Sequence, residues 1–391
     1  MFLALTSGVQ EGWTRVRVDV PNAATLQRLE DSGYDLMDCV PGLGTDDVIL
    51  APGEQAKLAA DGYTFQFVSA MEDPSNWGVR HHSQPAPADD YRYHYFDADQ
   101  ILAFLEGYRT QYPNYVTRYA IGASFNGETI WAYRIGRPVG MSVHPVNNIV
   151  VEGLIHAREW ITGSCIMHIA RKSVDLLTQP QPTPQLINQA VWIIPMVNPD
   201  GYRFTWTDNR YWRKNRRPNG DGTYGVDLNR NFSKGWGGNN GSSSQTNSDI
   251  YRGTTAFSEP ETQAVRSLLQ SLPRVGGFID YHSYAQMILA PWGYTTTAPA
   301  DSSLLDTYGQ AIQTQMDGFG ATYQEGQCSR ILYVASGISN DYVYDAYHVP
   351  AFGIELRDTG QYGFVLPENQ IYPTQDEVWA GFYKYLKMVG R

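Results

Sequence analysis

Four residues spread along the chain have the types needed to hold and use a divalent metal: His156, Glu159, His282 and Glu355. His156 and Glu159 stand three apart just after the apolar run 148–154, so they are expected at a strand end entering a helix, where one turn brings i and i+3 together. Zinc accepts imidazole nitrogen and carboxylate oxygen, and a catalytic zinc takes three protein ligands with one position left for water. The pair therefore needs a third partner, and alone it is a weak signal that reads first as a solvated helix start. His282 closes the strand-like run 278–281. The C-terminal ends of strands are where α/β sheets assemble sites, although a single histidine there also reads as a hydrogen-bonded core residue. Glu355 ends the apolar run 351–354 and is either a loop carboxylate in water or a base aimed at the same crevice.

The elements that would position these residues follow from periodicity. Helix-like segments near 99–111, 160–177, 259–272, 303–319 and 377–388 alternate with strand-like runs near 116–121, 129–135, 148–153, 191–196, 277–281 and 351–355. Such alternation predicts an α/β domain with a mixed sheet between helices. Ahead of it, alternating Val16, Val18 and Val20, a helical stretch 24–30 behind a cap at Asn22, a strand near 48–50, a helix near 54–60 and a strand near 65–68 predict a small α+β domain. Residues 72–90, with His81, His82, Pro85 and Pro87 among small and polar neighbours, have linker composition. The expected organisation is a leading domain over 1–71, a linker over 72–90 and a main domain over 91–391.

Composition narrows the classes. With 42% hydrophobic and 18% charged residues, 37 Gly and 22 Pro, the chain of 391 residues reads as globular and loop-rich. Its net charge of -11 argues against nucleic acid as a partner, because phosphate-backbone binding needs clustered Lys and Arg. No run of roughly eighteen apolar residues occurs, so no membrane span is expected. Three cysteines, Cys39, Cys165 and Cys328, are too few and too scattered for a disulfide framework. The first eight residues hold a short apolar run without a basic flank, which suits a trimmed leader or simply a chain start.

From about residue 91 onward the sequence resembles the zinc carboxypeptidase family of the pancreatic A and B type. The resemblance rests on six segments in the family's order: HAREW at 156–160, NPDGY at 198–202, RYWRK at 210–214, DLNRN at 227–231, HSY at 282–284 and ELRDTG at 355–360. It implies a mixed eight-stranded sheet sandwiched between helices, preceded by an open-sandwich α+β prodomain. It further implies one zinc ion per chain on His156, Glu159 and His282, with Asp227 orienting an imidazole. Glu355 would act as general base and acid, and Arg213 would stabilise the tetrahedral oxyanion. Asn229 and Arg230 would clamp the substrate's terminal carboxylate, and Tyr333 would cover it. Arg158 and Tyr284 would contact the upstream peptide, with Phe364 lining the same groove.

The implied activity is release of the C-terminal residue from peptides and proteins by a secreted, monomeric enzyme made as a zymogen, with an activating protease cutting within 72–90. Side-chain preference turns on the pocket. Asn340 stands where A-type members have an aliphatic residue and B-type members an aspartate, whereas Asp341 matches an aspartate common to both. Leu289 and Gly293 are A-like, and Cys328 and Gly353 replace larger or polar groups. Asp280 lies two residues before His282, so alternation points it to the same face. If it reached the pocket, Lys and Arg side chains would be accepted; a buried carboxylate is more commonly hydrogen-bonded, which favours neutral, bulky residues. Thr223 and Asn247 occupy about the places of a disulfide found in pancreatic members. The rival functions are a zinc deacylase of N-acyl amino acids and a non-catalytic binder of peptide tails. Arg213, Asn229, Arg230 and Tyr333 together argue against the first, and the complete set of His156, Glu159, His282 and Glu355 against the second.

Overall fold

The computed structural model describes residues 12–36, 44–71, 90–138, 140, 146–179, 186 and 188–390. The alternating valines form β1 (Thr14–Val20), with Val16, Val18 and Val20 fully buried. Helix α1 (Ala23–Glu30) starts at Asn22, whose side-chain oxygen accepts from Thr25 N as an N-cap. β2 (Asp35–Leu36), β3 (Gly44–Leu50), α2 (Glu54–Ala60) and β4 (Phe65–Ala70) complete an antiparallel sheet of order β2-β3-β1-β4. β3 starts earlier than its apolar residues suggest, because Asp47 is buried against β1, accepting from Arg15 Nε at 2.8 Å and Arg17 Nε at 2.7 Å. Leu29, Tyr34, Val48, Leu50, Leu58 and Tyr63 join the valines in a core of their own. Cys39 and the expected linker, apart from Asp90, lie outside the described residues.

In the main domain α3 (Ala98–Gln111) opens with a capping box between Asp97 and Gln100. The hairpin β5 (Val116–Ala123) and β6 (Thr129–Gly136) is followed by β7 (Asn147–Glu152), α4 (Trp160–Thr178), β8 (Gln189–Ile194), α5 (Pro199–Thr207) and α6 (Pro260–Ser271). Then come β9 (Val275–Ser283), β10 (Met287–Ala290), α7 (Ser302–Met316), β11 (Gln324–Gln327), α8 (Cys328–Ile331), α9 (Ser339–Tyr347), β12 (Ala351–Leu356) and α10 (Ile371–Val389). Eight strands form one mixed sheet of order β11-β10-β12-β9-β7-β8-β6-β5. Its centre, β12-β9-β7-β8, is parallel and buried on both faces, so those strands read as continuous apolar runs. α4 packs on β6, β8 and β9, and α10 lies against both α4 and α7. α6 packs on β5, and α9 on β9 and β12. Among the described residues no helix is long and apolar enough to cross a membrane.

Several elements had no apolar period to announce them. α5 begins inside the turn-like NPDGY segment, where Asn198 caps and Pro199 takes the first helical position. α9 buries Ser339, Asn340 and Asp341 together with Tyr342, Val343 and Tyr344, so polar residues interrupt its apolar pattern. α10 starts well before the predicted 377 because Gln375 is buried through hydrogen bonds to the carbonyls of Tyr91 at 3.0 Å and Ser164 at 3.1 Å.

The seat of α6 on the sheet depends on Gly122 of β5, where an added Cβ would lie 2.5 Å from the Cβ of Ala264. Gly122→Ala is expected to lower stability by about 1–3 kcal/mol through overpacking. The check is a lower urea midpoint at unchanged m-value; an unchanged midpoint would mean that α6 moves off the sheet freely.

Candidate metal centre and active site

β7 ends at Glu152, and the loop to α4 carries His156 and Glu159 before the helix starts. Their closeness comes from a turn ahead of the helix, with Glu159 N donating to His156 O, rather than from a helical turn as the spacing predicts. Leu154 sits at φ 52°, in the left-handed region, at the bend that directs the loop. Neighbouring segments pin it: Ala157 N donates to Arg213 O at 3.0 Å, Asn198 Nδ2 to Ile155 O at 3.3 Å and to Lys214 O at 3.0 Å, and Arg210 Nη1 to Arg158 O at 2.6 Å. Arg210, fully buried with its guanidinium 3.8 Å from the Trp160 ring, is a positioning residue that the sequence presented only as the first letter of the RYWRK segment.

His282 comes from β9, and Glu355 stands beside it in register on β12. His156, Glu159 and His282 are all buried and bring their ligand atoms within 4.8 Å of one another. His156 Nδ1 lies 3.1 Å from His282 Nδ1, 2.9 Å separates it from Glu159 Oε1, and His282 Nδ1 is 3.2 Å from Glu159 Oε2. The outer nitrogens face carboxylates, His156 Nε2 at 3.0 Å from Asp227 Oδ1 and His282 Nε2 at 2.9 Å from Asp280 Oδ2. With those carboxylates taking the Nε2 protons, both Nδ1 lone pairs and a carboxylate converge on one buried volume. That is repulsive unless a cation neutralises it, and two imidazoles with one carboxylate fit zinc.

The electrostatics follow. Burial pushes the Glu159 carboxyl up, but His156 and His282 outweigh it and hold it well below the usual carboxylate range. Burial likewise pushes Asp227 up, and Arg213, Arg230 and His156 bring it far down. Burial works to lower His282, yet Asp280 and Glu159 raise it well above the ordinary imidazole value. Burial pushes the Glu355 carboxyl up to about 8.

A small cavity of about 30 Å³ adjoins the triad. Arg213, Asn229, Arg230, Tyr333, Asn340 and Glu355 line it together with His156 and His282, and Leu289, Cys328, Leu332, Ala335, Ile338 and Gly353 complete the wall. Arg213 bonds Asp227 Oδ2 through Nε at 3.1 Å and Nη2 at 2.8 Å. Arg230 Nη2 donates to the Tyr333 hydroxyl at 2.9 Å. The Asn229 amide nitrogen lies 3.0 Å from His282 Nε2, and its oxygen accepts from Ser339 N at 2.8 Å. Asn340 reaches Leu289 O at 3.4 Å.

Three expected substrate residues sit elsewhere. Asp280 faces as alternation predicts, but it is fully buried beneath His282, accepts from Ser339 Oγ at 2.5 Å and does not line the cavity. Arg158 stacks on Phe364 at 4.0 Å and donates to Asp249 Oδ2 at 3.3 Å. Tyr284 packs edge-on to Phe364 with ring centroids 5.1 Å apart. Both aromatic rings join a cluster with Tyr211 and with Trp13, Ile49 and Met71 of the leading domain. Asp341 accepts from Gly293 N at 2.9 Å and Tyr294 N at 3.1 Å, a wholly structural role. Cys165 and Cys328 are free and buried, and Thr223 is hydrogen-bonded to Asp221. The sequence missed Leu332, Ala335 and Ile338 because they belong to irregular chain between α8 and α9, where no period marks a wall.

A family profile described as zinc carboxypeptidase matches residues 101–381. The chain belongs to the zinc carboxypeptidase family. It is a zinc metallocarboxypeptidase, a hydrolase that releases C-terminal residues. Carboxypeptidase B of Astacus astacus is 38% identical over 292 residues, 73% of this chain and 94% of that protein. The solved thrombin activatable fibrinolysis inhibitor is 29% identical with a TM-score of 0.84, covering 97% of this chain and 99% of that one. Carboxypeptidase A from Helicoverpa armigera gives 26% identity and a TM-score of 0.83 over 98% and 99%.

Asp280→Asn is expected to weaken zinc affinity by about 10–100-fold, because it removes the carboxylate that orients His282. Affinity of the unsubstituted chain should rise with pH, since zinc must displace the proton that Asp280 helps His282 retain. Competition titrations against a chromophoric chelator at several pH values check both; an unchanged affinity in the variant would remove Asp280 from the metal centre.

Proposed function

We propose that this carboxypeptidase binds the terminal carboxylate of a peptide at Arg230, with Asn229 beside it, and places the scissile carbonyl between the triad and Arg213. The observation that carries this reading is the register of β9 and β12, which sets Glu355 beside His282 at the mouth of one small buried cavity. When bound, zinc supplies a Lewis acid that polarises the carbonyl and acidifies water. Glu355 takes the water proton and returns it to the leaving amine. Its burial favours both steps, since a carboxyl raised toward neutrality holds and releases a proton readily. Arg213, held rigid by Asp227, offers its remaining N–H groups to the developing oxyanion. Tyr333 lies over Arg230 as the cover that must open for entry.

Pocket chemistry supports neutral, bulky C-terminal side chains. Leu289, Cys328, Ala335, Ile338 and Gly353 are apolar or small, Asn340 is uncharged, and among the described residues Glu355 is the only acidic one lining the cavity. A lysine or arginine side chain would find no other carboxylate there.

The leading domain is read as a prosegment. Trp13, Ile49 and Met71 pack on Tyr211, Tyr284 and Phe364, the surface an upstream peptide would use. Arg15 Nη2 donates to Gly360 O at 3.1 Å, and Ser243 Oγ to Asp31 Oδ1 at 2.6 Å. The likeness to a relative named as thrombin activatable extends over nearly the whole chain and supports activation by a protease cutting within 72–90. Secretion and a monomeric state belong to the same reading.

The deciding experiment is hydrolysis of blocked dipeptides ending in Phe, Leu, Lys or Glu, before and after limited proteolysis, with and without a zinc chelator. Chelator-sensitive release that rises after cutting, with Phe and Leu ahead of Lys, is expected. Full activity in the uncut chain would remove the prosegment role, and Lys ahead of Phe would overturn the pocket reading. Glu355→Gln should retain zinc while losing about 10²–10⁴-fold in kcat; retained turnover would assign the proton transfers elsewhere.

A further inference from the structure

The sheet face that carries Glu152, Asp280 and His282 continues toward the opposite strand ends. Arg134 of β6 stands beside Trp192 of β8, and alternation sets Tyr119 of β5 and Asn148 of β7 on the same side. α6 covers β5 where Gly122 meets Ala264, but the helix stops at Ser271. At its end a cavity of about 530 Å³ opens between the strands and Leu268, Leu272 and Pro273. That size lies within the usual range of small-molecule pockets. It begins at the start of β7, whereas His156 follows that strand's other end.

The wall is mainly apolar and aromatic, with Asn148, Ser267 and Ser271 as its neutral polar members and Arg134 as its charged one. Tyr119 and Trp192 meet with ring centroids 5.0 Å apart. Trp192 Nε1 donates to Asn148 Oδ1 at 2.9 Å, and Asn148 Nδ2 to Arg274 O at 2.8 Å, so both polar groups are engaged within the protein. Arg134 is different. It is 6% exposed, lines the cavity, and its guanidinium has no hydrogen bond or ion pair among the described residues. Burial pushes its pKa down from the ordinary value, as expected for a cation without a counter-charge. Buried charges are normally paired, and a planar guanidinium facing an apolar cavity matches a carboxylate bidentately.

We propose that this cavity is a second binding site, separate from the metal centre, for a small organic monocarboxylate whose charge pairs with Arg134 and whose apolar body lies against Tyr119, Trp192, Leu268 and Leu272. Calorimetric titration of the zinc-loaded full chain with octanoate, and with octanamide as its uncharged counterpart, tests it. One saturable octanoate site per chain is expected, with octanamide weaker by about tenfold or more. Arg134→Gln should lose octanoate binding by a similar factor while keeping peptidase activity, whereas Arg230→Gln should leave it intact. Equal binding of the two probes, loss in Arg230→Gln but not in Arg134→Gln, or no heat with octanoate up to about 10 mM would each overturn the proposal. The comparison of probes and the Arg230→Gln titration stand even if Arg134→Gln fails to fold.

Discussion

The carboxylate of Asp227 is the point on which the active site hangs. It is fully buried, caps the turn Leu228–Arg230 by accepting from Asn229 N, faces His156 Nε2 and accepts two hydrogen bonds from Arg213. One anion thus fixes His156, Arg213 and the segment that carries Asn229 and Arg230. Burying it is tolerable only because these partners surround it, and they in turn are held without freedom to drift. Asp280 performs the smaller version of the same task for His282, and Ser339 ties it to α9.

The parallel centre of the sheet supplies the other half. Register between β9 and β12 is set by strands buried on both faces, where a slip of one residue would turn every side chain to the wrong layer. Glu355 and His282 are therefore neighbours because the surrounding apolar residues allow only one pairing. Their spacing is inherited from core packing, and the loop from β7 brings His156 and Glu159 to them under the hold of Asn198 and Arg210.

The leading domain and the cavity beside Arg134 use the two surfaces the site leaves free. The first packs Trp13, Ile49 and Met71 against Tyr211, Tyr284 and Phe364. The second lies at the end of α6. Neither disturbs the metal centre, whose buried network is complete within the main domain.

The sequence by itself determined the ligand set, the order of the longer strands and helices in the main domain and the small α+β unit before it. Those features lie in local spacing: His156 and Glu159 three apart, apolar runs ending at His282 and Glu355, valines alternating in β1. It also leaned towards a neutral pocket, because a buried Asp280 is more commonly hydrogen-bonded than free. The tertiary structure alone decided where Asp280 points its charge, since alternation assigns a face but not whether a histidine already occupies it. It likewise decided that Tyr284 meets the leading domain, that Arg158 stacks on Phe364, that α5 and α9 are helices, and that Arg134 faces an open cavity. Each of these depends on partners far apart in the chain, and hydrogen bonds or gaps between distant elements leave no periodic mark in either one.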